Sequence, residues 1–136
     1  MLDTNVLSEI MRNPRCRATD RIEAAGADAV CTSAVVVAEL RCGAEKRGSA
    51  RLMRRVEELL SDLPVLSFSV PGNLHYGRLR ADLERRGTPI GSNDLIIAAQ
   101  ALQLDATLVT ANLAEFDRIP ALRVENWLWA AAVRDG

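Results

Sequence analysis

The chain begins Met1-Leu2-Asp3-Thr4-Asn5, and residues 6–11 then carry apolar side chains at the spacing of one helix face. This order predicts a very short strand that ends in an acid and leads directly into a helix. In a parallel α/β sheet, ligands and metals bind at the carboxyl ends of the strands. Asp3 is therefore the first candidate for chemistry, with capping of the following helix as its alternative role.

Strand and helix patterns alternate along the rest of the chain. Short β-rich runs predict strands, and apolar residues at helical spacing predict helices at 51–60 and 74–86. Ser33 and Ser92 are placed to cap two more helices, although the valines at 35–37 favour strand locally. We expect strands at residues 29–32, 65–68, 107–110 and 122–125, the last at an edge, helices at 33–46, 51–60, 74–86 and 93–104, and a helical turn at 112–116. This alternation predicts an α/β fold with a parallel sheet. A chain of 136 residues without a repeat or linker predicts one domain, 1–136.

Net charge, cysteine content and the length of the apolar runs limit which cellular compartments and which kinds of binding partner fit this chain. A net charge of −1 argues against a protein that coats nucleic acid, although the acidic centre of a nuclease would mask basic surroundings. Three cysteines without close pairing and a single histidine predict free thiols and argue against structural zinc. The apolar runs are too short to span a bilayer and no secretory signal is visible, so we expect a cytoplasmic protein without a membrane segment.

Three acids stand out by their surroundings. Asp3 ends the first strand, Glu39 lies inside an apolar run, and Asp94 immediately precedes another. Each has an ordinary structural alternative: a helix cap for Asp3, a surface ion pair for Glu39, and a favourable place in a first helical turn for Asp94. Brought together, three carboxylates would repel one another unless a cation lay between them. Ligand sets made only of oxygen favour Mg²⁺ or Mn²⁺.

Four stretches of the sequence resemble the motifs of PIN-domain ribonucleases. The first is Leu2-Asp3-Thr4-Asn5-Val6-Leu7-Ser8-Glu9, the second runs from Ser33 to Leu40, the third from Pro89 to Ala98, and the fourth is Leu108-Val109-Thr110-Ala111-Asn112 with Glu115-Phe116. Residues 122–127 also resemble the end of VapC-type toxins. The resemblance covers essentially the whole chain in the correct order. Each motif alone is weak, but the four together are specific.

The resemblance implies a PIN fold, in which a parallel sheet has helices on both faces and an acidic pocket at one edge. The candidate catalytic residues are then Asp3, Glu39, Asp94 and Asn112, the metal ligands among them are Asp3 and Asp94, and the residues that would orient them are Asn5 and Thr110. Asn112 stands where the family often has aspartate, so a neutral oxygen replaces a charge there.

Family members often carry a few more residues before the first acid. We therefore expect that the native chain could start upstream of Met1.

The activity implied by the resemblance is hydrolysis of an RNA phosphodiester with Mg²⁺ or Mn²⁺, as in toxins that cut structured RNA such as tRNA. The products would carry a 5′-phosphate and a 3′-hydroxyl. A small VapB-type antitoxin and a homodimer are also implied, with residues 52–60 and 127–129 as candidate surfaces unless they belong to the core. Two groups of arginines could bind phosphates or form solvated helix faces: Arg12, Arg15, Arg17 and Arg21, and Arg78, Arg80, Arg85 and Arg86.

Two alternatives from other classes are open on the sequence. A haloacid-dehalogenase-like phosphatase also begins with an aspartate at a strand end, but its second acid would fall on Asn5 and Lys46 is a poor match for its lysine. A non-enzymatic α/β module could use the same acids to bind a cation or a partner without turnover. RNA cleavage that depends on Asp94 would separate the nuclease from both.

Overall fold

In the computed structural model, which describes residues 1–129, a parallel sheet of very short strands runs through the molecule. β1 (Thr32–Ser33) pairs with β2 (Val65–Leu66), and β3 (Leu108–Val109) pairs with β4 (Val124–Glu125). Leu2 joins the two halves, because it forms parallel bridges to both β1 and β3. The order across the sheet is therefore β2, β1, Leu2, β3, β4, with β4 at an edge as predicted.

Helices connect the strands in sequence order. They are α1 (Thr4–Arg12) and α2 (Arg17–Ala25) before β1, α3 (Ala34–Arg47) and α4 (Ala50–Ser61) before β2, α5 (Val70–Arg85) and α6 (Ser92–Gln103) before β3, and α7 (Leu113–Phe116) before β4. The connections run outward from Leu2 to β2 and then return across the sheet to β3 and β4. Because such crossovers are right-handed, α1–α4 and α5–α7 belong to opposite faces. The predicted parallel sheet with helices on both faces is confirmed.

Two predicted element boundaries are wrong for identifiable reasons. The strand expected at 29–32 is displaced, because Ala27–Ala29 form a 3-10 helix and the pairing residues are those of β1. The helix expected to begin at residue 74 begins at Val70. Pro71 lies in its first turn, where the missing N–H of proline costs no hydrogen bond.

The two predicted serine caps have different outcomes. Ser33 caps α3 as expected, since its Oγ accepts a hydrogen bond from the backbone N–H of Val35 at 3.1 Å. Ser92 is not a cap, because the N-cap of α6 is Gly91 and Ser92 is already helical. The side chain of Asp94 then falls in the first turn of α6.

The core takes up most of the apolar residues that were candidates for a subunit surface. Val56 of α4 is buried, and the apolar side chains at 52, 53, 59 and 60 pack against the same core. Trp127 and Leu128 also pack there, whereas Trp129 is 65% exposed. The core alternative is therefore correct for nearly all of these residues. Residues 130–136, the end of the predicted single domain, lie outside the described part of the chain.

Two predictions from composition can be compared directly with the structure. All three cysteines are free thiols: Cys16 is buried, Cys31 half-buried and Cys42 exposed. Within residues 1–129, every helix is too short or too polar to cross a membrane.

Candidate active site

Asp3 directly follows Leu2, the central position of the sheet, and is only 4% exposed. Its two carboxylate oxygens have different partners. Oδ1 accepts the backbone N–H of Thr4 at 2.8 Å and so caps α1, while Oδ2 accepts the Thr110 hydroxyl at 2.7 Å and the Asn5 amide at 3.4 Å. Asp3 therefore has both of its expected roles at once, a helix cap and an acid held at the end of the strand.

Thr110 ties the ends of the two central strands together. Its hydroxyl donates to Asp3 and accepts from the backbone N–H of Asn112 at 3.0 Å and from the Asn5 side chain at 3.3 Å. The Asn5 side-chain oxygen in turn accepts the backbone N–H of Ala111 at 2.9 Å. Thr110 is fully buried, so these bonds are shielded from water. Asn5 and Thr110 therefore lie where they can fix the orientation of Asp3.

Glu39 reaches the same place from α3. Its Oε1 accepts the Thr4 hydroxyl at 3.1 Å, which links α3 to the first turn of α1. Partial burial raises the pKa of Glu39, the Thr4 hydrogen bond acts to lower it, and the charge of Asp3 raises it. The surface ion pair that was the alternative for Glu39 is absent among the described residues; Arg41 pairs instead with Glu57.

Asp94 is the acid most strongly affected by its neighbours. Its pKa is raised to about 8, most strongly by burial and then by a hydrogen bond with Glu115, by the charge of Glu115 and by the charges of Asp3 and Glu39. The helix dipole in the first turn of α6 would favour the ionised form, so the burial and the neighbouring acids outweigh it. Asp94 is thus one member of a group of carboxylates that cannot all be ionised comfortably without a cation.

Glu115 is a site residue that the sequence reasoning missed. It lies on α7, and its Oε2 accepts the Asn112 side-chain N–H at 3.2 Å. Residues three apart share a helix face, so the spacing of Asn112 and Glu115 was the available signal. In the folded chain Asn112 supports an acid through its amide, and Glu115 supplies the fourth carboxylate.

The candidate site at the carboxyl edge of the sheet contains Asp3, Glu39, Asp94 and Glu115. Asn112 belongs to it through its hydrogen bond to Glu115. The connections that follow Leu2 and β3 go to opposite faces of the sheet. Open α/β sheets bind ligands in the crevice between two such neighbouring strands. The donors are all oxygen atoms, a set that suits Mg²⁺ or Mn²⁺. Within residues 1–129, however, no three His, Cys, Asp or Glu side chains are grouped tightly enough to hold a metal ion without adjustment.

A comparison with protein-family models matches residues 1–122 to the PIN domain. The chain belongs to the PIN-domain family. This PIN domain is 39% identical to the Ribonuclease VapC2 of Rickettsia felis over 129 residues, covering 93% of this chain and 96% of that one. It is 38% identical to the tRNA(fMet)-specific endonuclease VapC of Salmonella typhimurium over 128 residues, with 93% and 96% covered.

Solved structures agree with the family assignment. The PIN domain matches a chain in the crystal structure of VapBC2 from Rickettsia felis bound to a DNA fragment from its promoter, with a TM-score of 0.86 and 37% identity. The match covers 93% of this chain and 97% of that one. The haloacid-dehalogenase-like alternative is left without support.

Proposed function

We propose that this PIN domain is a metal-dependent endoribonuclease, the toxin of a toxin–antitoxin pair, and that it hydrolyses a phosphodiester of structured RNA such as tRNA. One observation carries the proposal: Asp3, Glu39, Asp94 and Glu115 influence or contact one another at the carboxyl edge of the sheet. A relative that is 39% identical over 93% of this chain is named a ribonuclease, and one that is 38% identical over 93% is named a tRNA(fMet)-specific endonuclease.

The cofactor proposed for this site is Mg²⁺ or Mn²⁺, held by Asp3 and Asp94 with support from Glu39 and Glu115. The raised pKa of Asp94, caused by burial and by Glu115, Asp3 and Glu39, indicates that positive charge would be favourable here. The chemistry that such an ion supplies is a water of lowered pKa and positive charge beside the attacked phosphate. Small side-chain movements would be needed, since the described acids form no ready cluster.

The chain's own residues hold the acids and position the water. Thr110 and Asn5 hold Asp3, and Thr4 holds Glu39, so two of the acids approach the substrate in fixed orientations. Glu39 or Asp94 would accept a hydrogen bond from the attacking water. Attack of water on phosphorus breaks the bond to the 3′ oxygen, which leaves a 3′-hydroxyl and a 5′-phosphate. Neither the 2′-hydroxyl nor a histidine base is required.

The proposed partner is a VapB-type antitoxin. Solved structures similar to this chain include VapBC complexes from Rickettsia felis and Salmonella typhimurium, each bound to DNA. A homodimer is also proposed. Of the surface expected from sequence, Trp129 remains exposed, and the other exposed large apolar side chains among the described residues are Val65, Val70, Leu74 and Leu104.

Expression of the chain with and without Asp94→Asn tests the function. The unmodified chain should arrest growth and cleave RNA, and the variant, which keeps the shape of the side chain, should do neither. With purified protein and Mg²⁺ or Mn²⁺, the new RNA ends should be a 5′-phosphate and a 3′-hydroxyl. A 2′,3′-cyclic phosphate would contradict the mechanism. RNA left intact by the unmodified chain would favour the binding module instead.

A further inference from the structure

A groove of about 480 Å³ leads away from the acidic centre. Thr4, Asn5 and Glu39 line it at the centre, and Arg47 and Arg55 line it as well. Glu39 and Arg47 both belong to α3 and are eight residues apart, a spacing that keeps them on nearly the same helix face and separates them by about 12 Å along the axis. The groove therefore joins the candidate active site to a basic end.

The positive charge at that end is not neutralised locally. Among the described residues, neither Arg47 nor Arg55 forms an ion pair or a side-chain hydrogen bond, whereas Arg12 on the groove's other wall is paired with Glu9 at 2.8 Å. Arg55 is half-buried, so part of its side chain is already ordered by packing. Guanidinium groups in this situation are suited to an external anion, and their planar fork matches a phosphate.

Gly43 keeps the path between the two ends open. It lines the groove between Glu39 and Arg47 on α3, and a Cβ atom at this position would meet no heavy atom within 4 Å. A larger side chain here would project into the groove rather than into the core. The absence of a side chain therefore leaves room for a strand to lie along α3.

We infer that this groove binds the RNA strand beside the cleaved bond, with Arg47 and Arg55 each contacting a backbone phosphate while the cleaved phosphate lies at the acids. The inference rests on the proposed function. A net charge of −1 and the acids at the centre would otherwise repel the substrate. Among the described cations that line this groove, these two arginines are the ones without an ion pair. A protein segment would use the apolar part of the same groove and would not need both arginines.

Binding to a single-stranded RNA oligonucleotide, measured at several salt concentrations, tests the inference. The Asp94→Asn chain serves as the background so that the RNA is not cut. Loss of one phosphate contact should weaken binding about tenfold and reduce the slope of log K against log salt by about 0.7. We expect this for Arg47→Gln and for Arg55→Gln, and about twice the change in slope for the double variant.

The chain offers matched controls on the same two helices. Lys46→Gln removes the neighbouring charge on α3, and Arg54→Gln removes one on α4 that lines a separate cavity with Arg41 and Glu57. Both should leave the slope unchanged. Gly43→Leu should weaken RNA binding without changing the slope, because it blocks the path and removes no charge.

Three results would overturn the inference or the function beneath it. Equal slopes for Arg47→Gln, Arg55→Gln and the controls would overturn the inference. So would loss of antitoxin binding in these variants with RNA binding intact, since the groove would then serve a protein. Failure of the unmodified chain to cleave any RNA with Mg²⁺ or Mn²⁺ would overturn the proposed function instead, whatever the slopes.

Discussion

At the scale of single residues, the buried carboxylate of Asp3 has a role in folding and lies where the proposed chemistry needs it. One oxygen caps α1, and the other accepts the Thr110 hydroxyl. A buried ionised carboxylate is tolerated only when such donors surround it. Because Thr110 also accepts the backbone N–H of Asn112, a single hydroxyl connects the first acid to the segment that carries the fourth.

Thr110→Val should expose how much Asp3 depends on this hydroxyl. Valine keeps the shape and removes the donor, so we expect a loss of about 1 to 3 kcal/mol in the free energy of unfolding. Metal affinity and RNA cleavage should fall about 10- to 100-fold, as for other groups that orient metal ligands. Thr110→Ser, which retains the hydroxyl, is the control. Equal behaviour of Val and Ser in urea unfolding and cleavage assays would refute the role.

Asp94 should make the metal-free protein less stable as the pH rises. Burial and Glu115 hold the pKa of folded Asp94 at about 8, against 3.8 in the unfolded chain. Between these values the folded state binds more protons, so the free energy of unfolding decreases with increasing pH. The prediction is a Tm, measured with EDTA, that falls from about pH 5 to about pH 8.

Two variants check the cause of that pH dependence. Asp94→Asn should raise Tm at the upper end of the range more than at the lower end, because it removes the acid that is costly to ionise. Glu115→Gln should move the midpoint to lower pH, since it removes a charge that raises the pKa of Asp94. Adding Mg²⁺ or Mn²⁺ to the unmodified chain should restore stability most at high pH. A flat profile in the unmodified chain would contradict the explanation.

The residues that sequence reasoning found and missed differ in their surroundings. Asp3, Glu39 and Asp94 were visible because each acid interrupts or borders an apolar run. Glu115 lies in α7, which is only four residues long, so no apolar repeat marks which of its side chains face the interior. Only tertiary structure shows that α7 brings it to Asp94.

At the scale of the elements, helix ends place the functional groups. Asp3 precedes α1, Ser33 caps α3 one and a half turns before Glu39, and Asp94 is in the first turn of α6. The other end of α3 is fixed by Gly48, whose φ of 59° lies in the left-handed region. This ending also sets where Arg47 emerges.

Two glycines of the same element should respond oppositely to alanine. Gly43 is inside α3 with open space around a Cβ, so Gly43→Ala should stabilise the protein by about 0.5 to 1 kcal/mol. Gly48 also faces open space but has a positive φ, so Gly48→Ala should destabilise by about 1 kcal/mol. Thermal unfolding of both variants separates backbone conformation from packing. The same sign of change in both would contradict this account.

Elements with long apolar patterns were predictable, and short ones were not. α4 was found because its apolar residues repeat at helical spacing, and α3 and α6 were found because a serine precedes a long apolar run in each. α2 was missed because Ile22 is its one large apolar side chain and the other residues are charged, polar or small, so no apolar repeat is visible. The strands pair over two residues each, so alternation cannot define their limits, and only the register with Leu2 fixes which residues pair.

At the scale of the whole molecule, Leu2 is the join between the two halves of the sheet. It is 1% exposed and bridges β1 and β3, so packing and strand pairing both depend on it. Asp3 follows immediately, and the site therefore depends on the integrity of the entire sheet. The PIN fold was predictable from the four motifs in their order along the chain. That Leu2 would occupy the centre of the sheet was not predictable from its neighbours in sequence.

Leu2→Ala should therefore be among the most damaging apolar truncations. We expect a loss of about 2 to 5 kcal/mol from the buried cavity it leaves. Leu74→Ala, at a residue that is 57% exposed, is the control and should change stability by less than about 0.5 kcal/mol. Urea unfolding measures both. Similar midpoints for the two variants would show that the centre of the sheet tolerates the change.

The central position of the first residues also affects when the activity can arise during translation. The ribosome makes Asp3 107 residues before Thr110, whose hydroxyl holds it. Until β3 has emerged, Leu2 lacks a neighbour on one side, and Glu115 has not been made. A partly synthesised chain therefore has no assembled nuclease site. The proposed toxin would become dangerous to RNA only after the segment that carries Glu115 has been made.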